Sequence, residues 1–222
     1  FELKKIFDTL KSFKIKHVIF LGKINRPNLQ EFKNDGEIEK YIPLLFKTFK
    51  KGDGQILNSV IKIFINNGFN VLGPNKISEK FFLKNKEIHQ KKSKNDKEDI
   101  YKSIKILNDL AKYDNAQSVT CVNGFIVAIE AAEGTDSLLK RTALIRKNFK
   151  HLNIKAGLLT KLPKKKQSRL VDLPVIGPKT LKLIKKANLN GIAINPKLTM
   201  VYKKEQLISL AKEYNLKIYD LS

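Results

Sequence analysis

Apolar residues recur every three or four positions in "FELKKIFDTLKSFKI" (residues 1–15), the spacing of an amphipathic helix. "KHVIFLGKI" follows as a short buried strand closing on glycine. "GQILNSVIKIFINNG" returns to helical spacing and is stopped by Asn67 and Gly68, and "FNVLGP" reads as a strand and turn. Helix and strand alternate through this first stretch, as in a parallel-sheet α/β domain. It opens on a helix, so a first strand is expected upstream.

From Glu79 to Glu98, "EKFFLKNKEIHQKKSKNDKE", charge replaces periodicity. The expectation is a linker, with an exposed helix in one continuous domain as the alternative. Periodicity then resumes. "DIYKSIKILNDLAKYD" predicts a helix, and "SVTCVNGFIVAIE" a β-hairpin turning at Asn123-Gly124. "DSLLKRTALIRKNF", "PKTLKLIKKANLN" and "KEQLISLAKEYN" predict helices; "AGLLTKL", "GIAI", "TMVY" and "KIYDL" predict strands. The fold class is therefore α/β in two domains. Residues 1–78 are expected to form a Rossmann-like parallel-sheet part truncated at its start, 79–98 a linker, and 99–222 a mixed α/β domain.

Composition narrows the partners. The 222 residues hold 44 Lys+Arg against 21 Asp+Glu, a formal net charge of +23. Hydrophobic residues reach 42%, enough for a packed core, so the chain is globular rather than disordered. Part of the charge is discounted, because richness in Lys, Asn, Ile and Phe follows from AT-rich codons. The rest favours an anionic partner: nucleic acid, phosphate ligand or membrane surface. Cys121 is the single cysteine, so no disulfide framework exists, as suits a reducing cytoplasm. It reads as a small apolar strand residue. His17, His89 and His151 form no metal-spaced pair. No apolar run nears the roughly 18 residues of a membrane span. The chain opens on Phe, so its true start is expected to lie elsewhere.

Two stretches carry candidate chemistry. "AIEAAEGTDSLLKR" (128–141) gathers Glu130, Glu133 and Asp136 at a strand–turn–helix junction. Gly134 permits a positive-φ turn, and Thr135 reads as the N-cap. Helix N-termini favour phosphate, which bare acids repel. Acids there make sense if a divalent metal stands between carboxylate and phosphate; plain helix capping by Asp136 is the alternative. "KLPKKKQSRLVDLPVIGPKT" (161–180) places Asp172 among apolar neighbours, before a second loop–helix junction led by Pro178. Arginine is scarce, and Arg26, Arg141 and Arg169 lie at marked places, where a planar fork can grip phosphate.

"QSVTCVNGFIVAIEAAEGTDSLLKR", "VDLPVIGPKT" and "GIAI" together resemble the LpxI family, UDP-2,3-diacylglucosamine pyrophosphatases of lipid A biosynthesis in Gram-negative bacteria. "VIFLGKINRPNL" and "KKGDGQILNSVIKIFINNGFNVLGP" resemble its N-terminal domain in the right order. The resemblance implies two α/β domains holding a lipid substrate and hydrolysis of its diphosphate to lipid X and UMP, by water attacking the β-phosphorus. It also implies magnesium dependence, with manganese as the alternative. Ser168 stands where the family often has an acid, and the family's glycine-rich opening has no match. The expected metal ligands are Asp172 and Asp136, with Glu133 as a further catalytic carboxylate. The expected substrate contacts are Gly134, Thr135, Arg141, Gln167, Arg169, Gln117, Arg26 and Asp53. The implied partners are the lipid-linked UDP-sugar and the anionic inner-membrane surface on its cytoplasmic side. No specific nucleic acid is implied, and a homodimer is left open. The rival readings are a nucleic-acid-binding protein and a nucleotide-sensing module without turnover. No RNA- or DNA-binding motif stands out.

Overall fold

The computed structural model describes residues 2–21, 36–49, 53–88, 91–113, 116–149, 152, 154–163, 168 and 170–222. The chain divides into two compact units, Phe1–Ser78 with Gln167–Asp172, and Glu79–Lys166 with Leu173–Ser222.

Unit 1 follows the expected helix–strand alternation. Helix α1 spans Leu3–Ser12 and strand β1 only His17–Val18. Helices α2 (Ile42–Phe49) and α3 (Asp53–Asn66) lead to β2 (Asn70–Val71), which pairs parallel with β1. His17 is exposed and Val18 half-buried, so this strand is shorter and more open than its apolar run predicts. The core is aromatic: Phe7, Phe64 and Phe69 are buried, with Phe7 and Phe64 edge to face at 5.2 Å. Leu170 and Val171 pack against this cluster, which is how a late segment belongs to the first unit.

Unit 2 is built on a five-stranded sheet in the order β4-β3-β5-β7-β9. Strands β3 (Ser118–Val122) and β4 (Phe125–Ile129) form the predicted hairpin. Asn123 and Gly124 have φ of 49° and 77°, as a two-residue turn of this twist requires. The turn is also clasped from below. The fully buried Asp99, on helix α4 (Lys94–Leu110), accepts the N–H groups of Asn123 (3.1 Å) and Gly124 (2.5 Å) and the Cys121 thiol. Burial first, and then this carboxylate, push the Cys121 thiol far up, so it stays protonated.

Strand β3 runs antiparallel to β5 (Leu158–Lys161), which is parallel to β7 (Gly191–Ile194), itself parallel to β9 (Lys217–Asp220). Gly191 has to be glycine, because a Cβ there would collide with the Lys217 carbonyl on the neighbouring strand. Helix α4 covers one face through Ile100, Leu158, Ala193 and Tyr219. Helices α5 (Gly134–Asn148), α6 (Pro178–Lys186) and α7 (Lys204–Glu213) cover the other, over Leu159, Ile192 and Ile218. A second, two-stranded parallel pair joins β6 (Val175–Ile176) to β8 (Met200–Val201).

The segment expected as a linker, 79–98, belongs to unit 2. Leu83 and Ile88 are buried in its core. Glu87 pairs with Lys204 at 2.8 Å, both side chains largely shielded, and Lys204 also donates to the Phe82 carbonyl. Burial alone would raise the Glu87 carboxyl, but its bonds to Lys204 and to the Lys84 N–H bring it below the usual range. Ser93 caps α4 by accepting the Asp96 N–H, so that helix begins inside the charged run.

Candidate active site

The site starts from a helix end. Gly134 (φ +77°) turns the chain from β4 into α5. The N-cap position falls on Glu133, not on Thr135 as the sequence suggests. Thr135 sits in the first turn instead, and its side chain is turned to the sheet. There Lys161, the last residue of β5, points its ammonium at the Thr135 hydroxyl oxygen, at 2.6 Å. Lys161 is only 5% exposed. Thr135 also bonds the carboxylate of Glu130, at 3.2 and 3.3 Å to its two oxygens, and the buried Ser118 hydroxyl at 3.3 Å.

A hydroxyl has one proton and two lone pairs. Lys161 can only donate and the ionised Glu130 can only accept. The Thr135 oxygen therefore takes a bond from Lys161, and when Ser118, which can give or take the hydrogen at 3.3 Å, also donates to it, the threonine proton goes to Glu130. A buried ammonium needs partners; Thr135 is one of them, and a carboxylate lies one hydroxyl beyond it.

The other two acids of the turn are engaged elsewhere. Glu133 accepts from Arg141 at 2.5 Å and from the Ala131 N–H at 3.0 Å. The Arg141 hydrogen bond is the main reason its carboxyl is held below the usual range. The same Arg141 nitrogen donates to the Ile129 carbonyl at 2.8 Å. Asp136 pairs with Lys179 at 2.7 Å. That pair ties the N-terminus of α5 to that of α6, where Pro178 leads the helix and the Thr180 hydroxyl accepts the Gly177 N–H. A cavity of about 500 Å³ opens here, lined among others by Asp136, Gly177, Lys179, Lys182, Tyr202 and Lys203. With three lysines, one acid and a helix N-terminus, it suits an anion.

The structure thus gathers Glu133, Gly134, Thr135, Asp136 and Arg141 at one helix end. Gln117 immediately precedes β3, and its carbonyl accepts the Leu162 N–H beside Lys161. Asp172 falls in unit 1, half-buried, with its N–H donated to the Ser168 carbonyl. Asp53 opens α3, and its side chain lies outside the described residues, as do Arg26, Gln167 and Arg169. Among the described residues no group of three or more His, Cys, Asp or Glu is placed so that it could hold a metal ion between them. Lys161 and Ser118 were missed from the sequence, and Glu130 was noted at the turn without a role. The available signal was a lysine ending the apolar strand "LLTK". Arg146, the arginine without a marked setting, is 1% exposed and donates to the carbonyls of Leu152, Ala156, Ala187 and Ile154.

Comparison with known proteins supplies the context. The LpxI N-terminal domain model matches residues 1–81, and the LpxI C-terminal domain model matches residues 84–219. The UDP-2,3-diacylglucosamine pyrophosphatase LpxI of Caulobacter vibrioides is 29% identical over 217 residues, covering 97% of this chain and 78% of that protein.

Proposed function

The chain belongs to the LpxI family, and from that premise we propose that it hydrolyses the diphosphate of UDP-2,3-diacylglucosamine to 2,3-diacylglucosamine 1-phosphate and UMP. The observation that carries this reading is the buried Lys161 held at the N-terminus of α5. A phosphoryl group set at that helix end meets free N–H groups, the positive end of the helix dipole and an ammonium behind them. The lysines of the neighbouring cavity take the rest of the diphosphate charge. Arg141, tied to Glu133 and to the end of β4, keeps the turn in shape.

Magnesium or manganese fits the donor chemistry. Carboxylate oxygens are the hard donors such ions prefer, and one or two suffice beside substrate phosphates; Asp136 and Asp172 are each proposed as such a donor. The Asp136 carboxylate is 41% exposed in its pair with Lys179, so a cation can compete for it. When bound, the metal supplies neutralisation of phosphoryl charge. Gln167, Arg169, Arg26, Gln117 and Asp53 keep their proposed place as substrate contacts. The lysine excess supports docking on an anionic leaflet from the cytoplasmic side, at about 1 kcal/mol for each lysine near the surface. Among the described residues, no helix is long and apolar enough to cross a membrane.

The test is UMP release in magnesium from UDP-2,3-diacylglucosamine, with the unacylated UDP-sugar as control. Release from the acylated substrate is expected, and a folded protein that releases none sinks the reading. In ¹⁸O-water the label should appear in the sugar phosphate; label in UMP would move the attack to the α-phosphorus. Asp172→Ala should cut turnover by orders of magnitude and weaken magnesium dependence while substrate binding survives. Near-normal UMP release from that variant removes Asp172 from the metal set.

A further inference from the structure

Three carboxylates crowd the turn, and their partners separate them. Glu133 carries an arginine at 2.5 Å and a backbone N–H. Asp136 carries a lysine at 2.7 Å. Glu130 accepts, among the described side chains, from Thr135, in long bonds to both oxygens. A carboxylate in a short ion pair is a poor proton acceptor, because protonation must break the pair. Among the described residues Glu130 has no such pair, and it is only half-buried.

Resting on the hydrolase reading above, we propose that Glu130 is the carboxylate that takes the proton of the attacking water, and that Lys161 is the residue that positions it, acting through Thr135. Lys161 fills one lone pair of the Thr135 oxygen, and with Ser118 donating to the other the threonine proton goes to the Glu130 carboxylate. That bond fixes the carboxylate plane at the N-terminus of α5 and leaves the outer lone pairs for water. In the step, the water oxygen bonds to one phosphorus of the diphosphate while its proton passes to Glu130. The bond from that phosphorus to the bridging oxygen breaks, and the bridging oxygen leaves with the electron pair on the other phosphate. Lys161 does not touch the reacting atoms. It keeps the threonine from turning its proton elsewhere.

The experiment compares kcat, KM and substrate affinity of the full chain with those of Glu130→Gln, Glu133→Gln, Glu130→Ala, Thr135→Ser and Thr135→Val. A positioned general base is worth about 10²–10⁴ in rate. Glu130→Gln should therefore lose about that much in kcat with affinity kept, and Glu133→Gln far less. Formate should restore part of the turnover of Glu130→Ala, which a purely structural glutamate would not allow. Thr135→Ser keeps all three hydrogen bonds and should stay near wild type, whereas Thr135→Val should fall toward Glu130→Gln. Lys161→Met should lower kcat in the same way without raising KM. Wild-type turnover in Glu130→Gln, or equal turnover in the serine and valine variants, overturns the inference and leaves the hydrolase reading standing. A wild-type chain that releases no UMP overturns both.

Discussion

Helix α5 carries two arginines, Arg141 at its midpoint reaching back to the N-terminal turn and Arg146 in its last turn, and the two are used in opposite ways. Arg141 lies half-exposed beside the turn, on a carboxylate and one carbonyl. Arg146 is sealed from water and meets only carbonyls, including that of Ala187, the C-cap of α6. Partial negative charge collects at helix C-termini, so a guanidinium there is solvated by dipoles instead of a counter-ion. Burial brings it down to about 10, and it still holds its proton at neutral pH. Arg141 holds the half-exposed turn at the start of the helix in shape, and Arg146 ties Leu152, Ile154 and Ala156 to the end of α6. Two residues of one type on one helix thus differ by what their surroundings offer.

The sharpest way to break this contrast is Arg146→Met. Four carbonyls lose their donor, and removing one side of a buried charged network costs about 3–5 kcal/mol. Melting should drop by on the order of 10 °C, while protein kept folded at low temperature turns over normally. An unchanged melting curve would make Arg146 as dispensable as a surface residue. Glu130→Gln, which keeps an acceptor for Thr135 and leaves Thr135 to receive Lys161, should show the reverse, with a melting curve near wild type and turnover down about 100-fold, which corresponds to about 2.7 kcal/mol of barrier. Equal losses in both readouts would erase the difference between the two ends. Smaller again is Arg141→Lys. The lysine keeps the charge but cannot hold Glu133 and Ile129 together, and the loss expected is about threefold to tenfold in kcat/KM. The smallest effect concerns acid. Glu133 ionises below the usual carboxylate range when folded, so its pair with Arg141 contributes above that range and is lost as pH falls through the lowered value. Both partners face solvent, so salt should weaken the contribution too. Melting curves of wild type and Glu133→Gln should converge at low pH and in high salt; a gap that persists in acid would assign the pair no part in stability.

What the sequence revealed follows from how local each cause is. The hairpin at Asn123-Gly124 and the start of α6 at Pro178 were legible because single residues dictate their backbone. Gly134 was legible for the same reason, which led to the right turn with the wrong cap. The parts that stayed hidden depend on distant partners. Lys161 is buried because Thr135, twenty-six residues away in sequence, receives it. A lysine-rich stretch at 79–98 carries no mark that Glu87 will meet Lys204 or that Leu83 and Ile88 will enter a core. Strand β6 has two residues, too few for any period to show, although its partner β8 falls within the expected strand "TMVY". Asp172 was expected in a continuous catalytic domain, yet its neighbours Leu170 and Val171 pack with the phenylalanines of unit 1.

That last feature governs how the protein is made. Unit 1 has its first 78 residues early, but Leu170 and Val171 come from the far side of most of unit 2. A ribosome adds about 5–20 residues per second, so roughly 5 to 20 s pass between Ser78 and Asp172. Through that interval Phe7, Phe64 and Phe69 wait with part of their cover still unsynthesised. The first unit to leave the exit tunnel therefore cannot complete its core until most of the second has been made as well. A nascent chain halted at residue 166 would present an aromatic surface to whatever holds unfinished proteins.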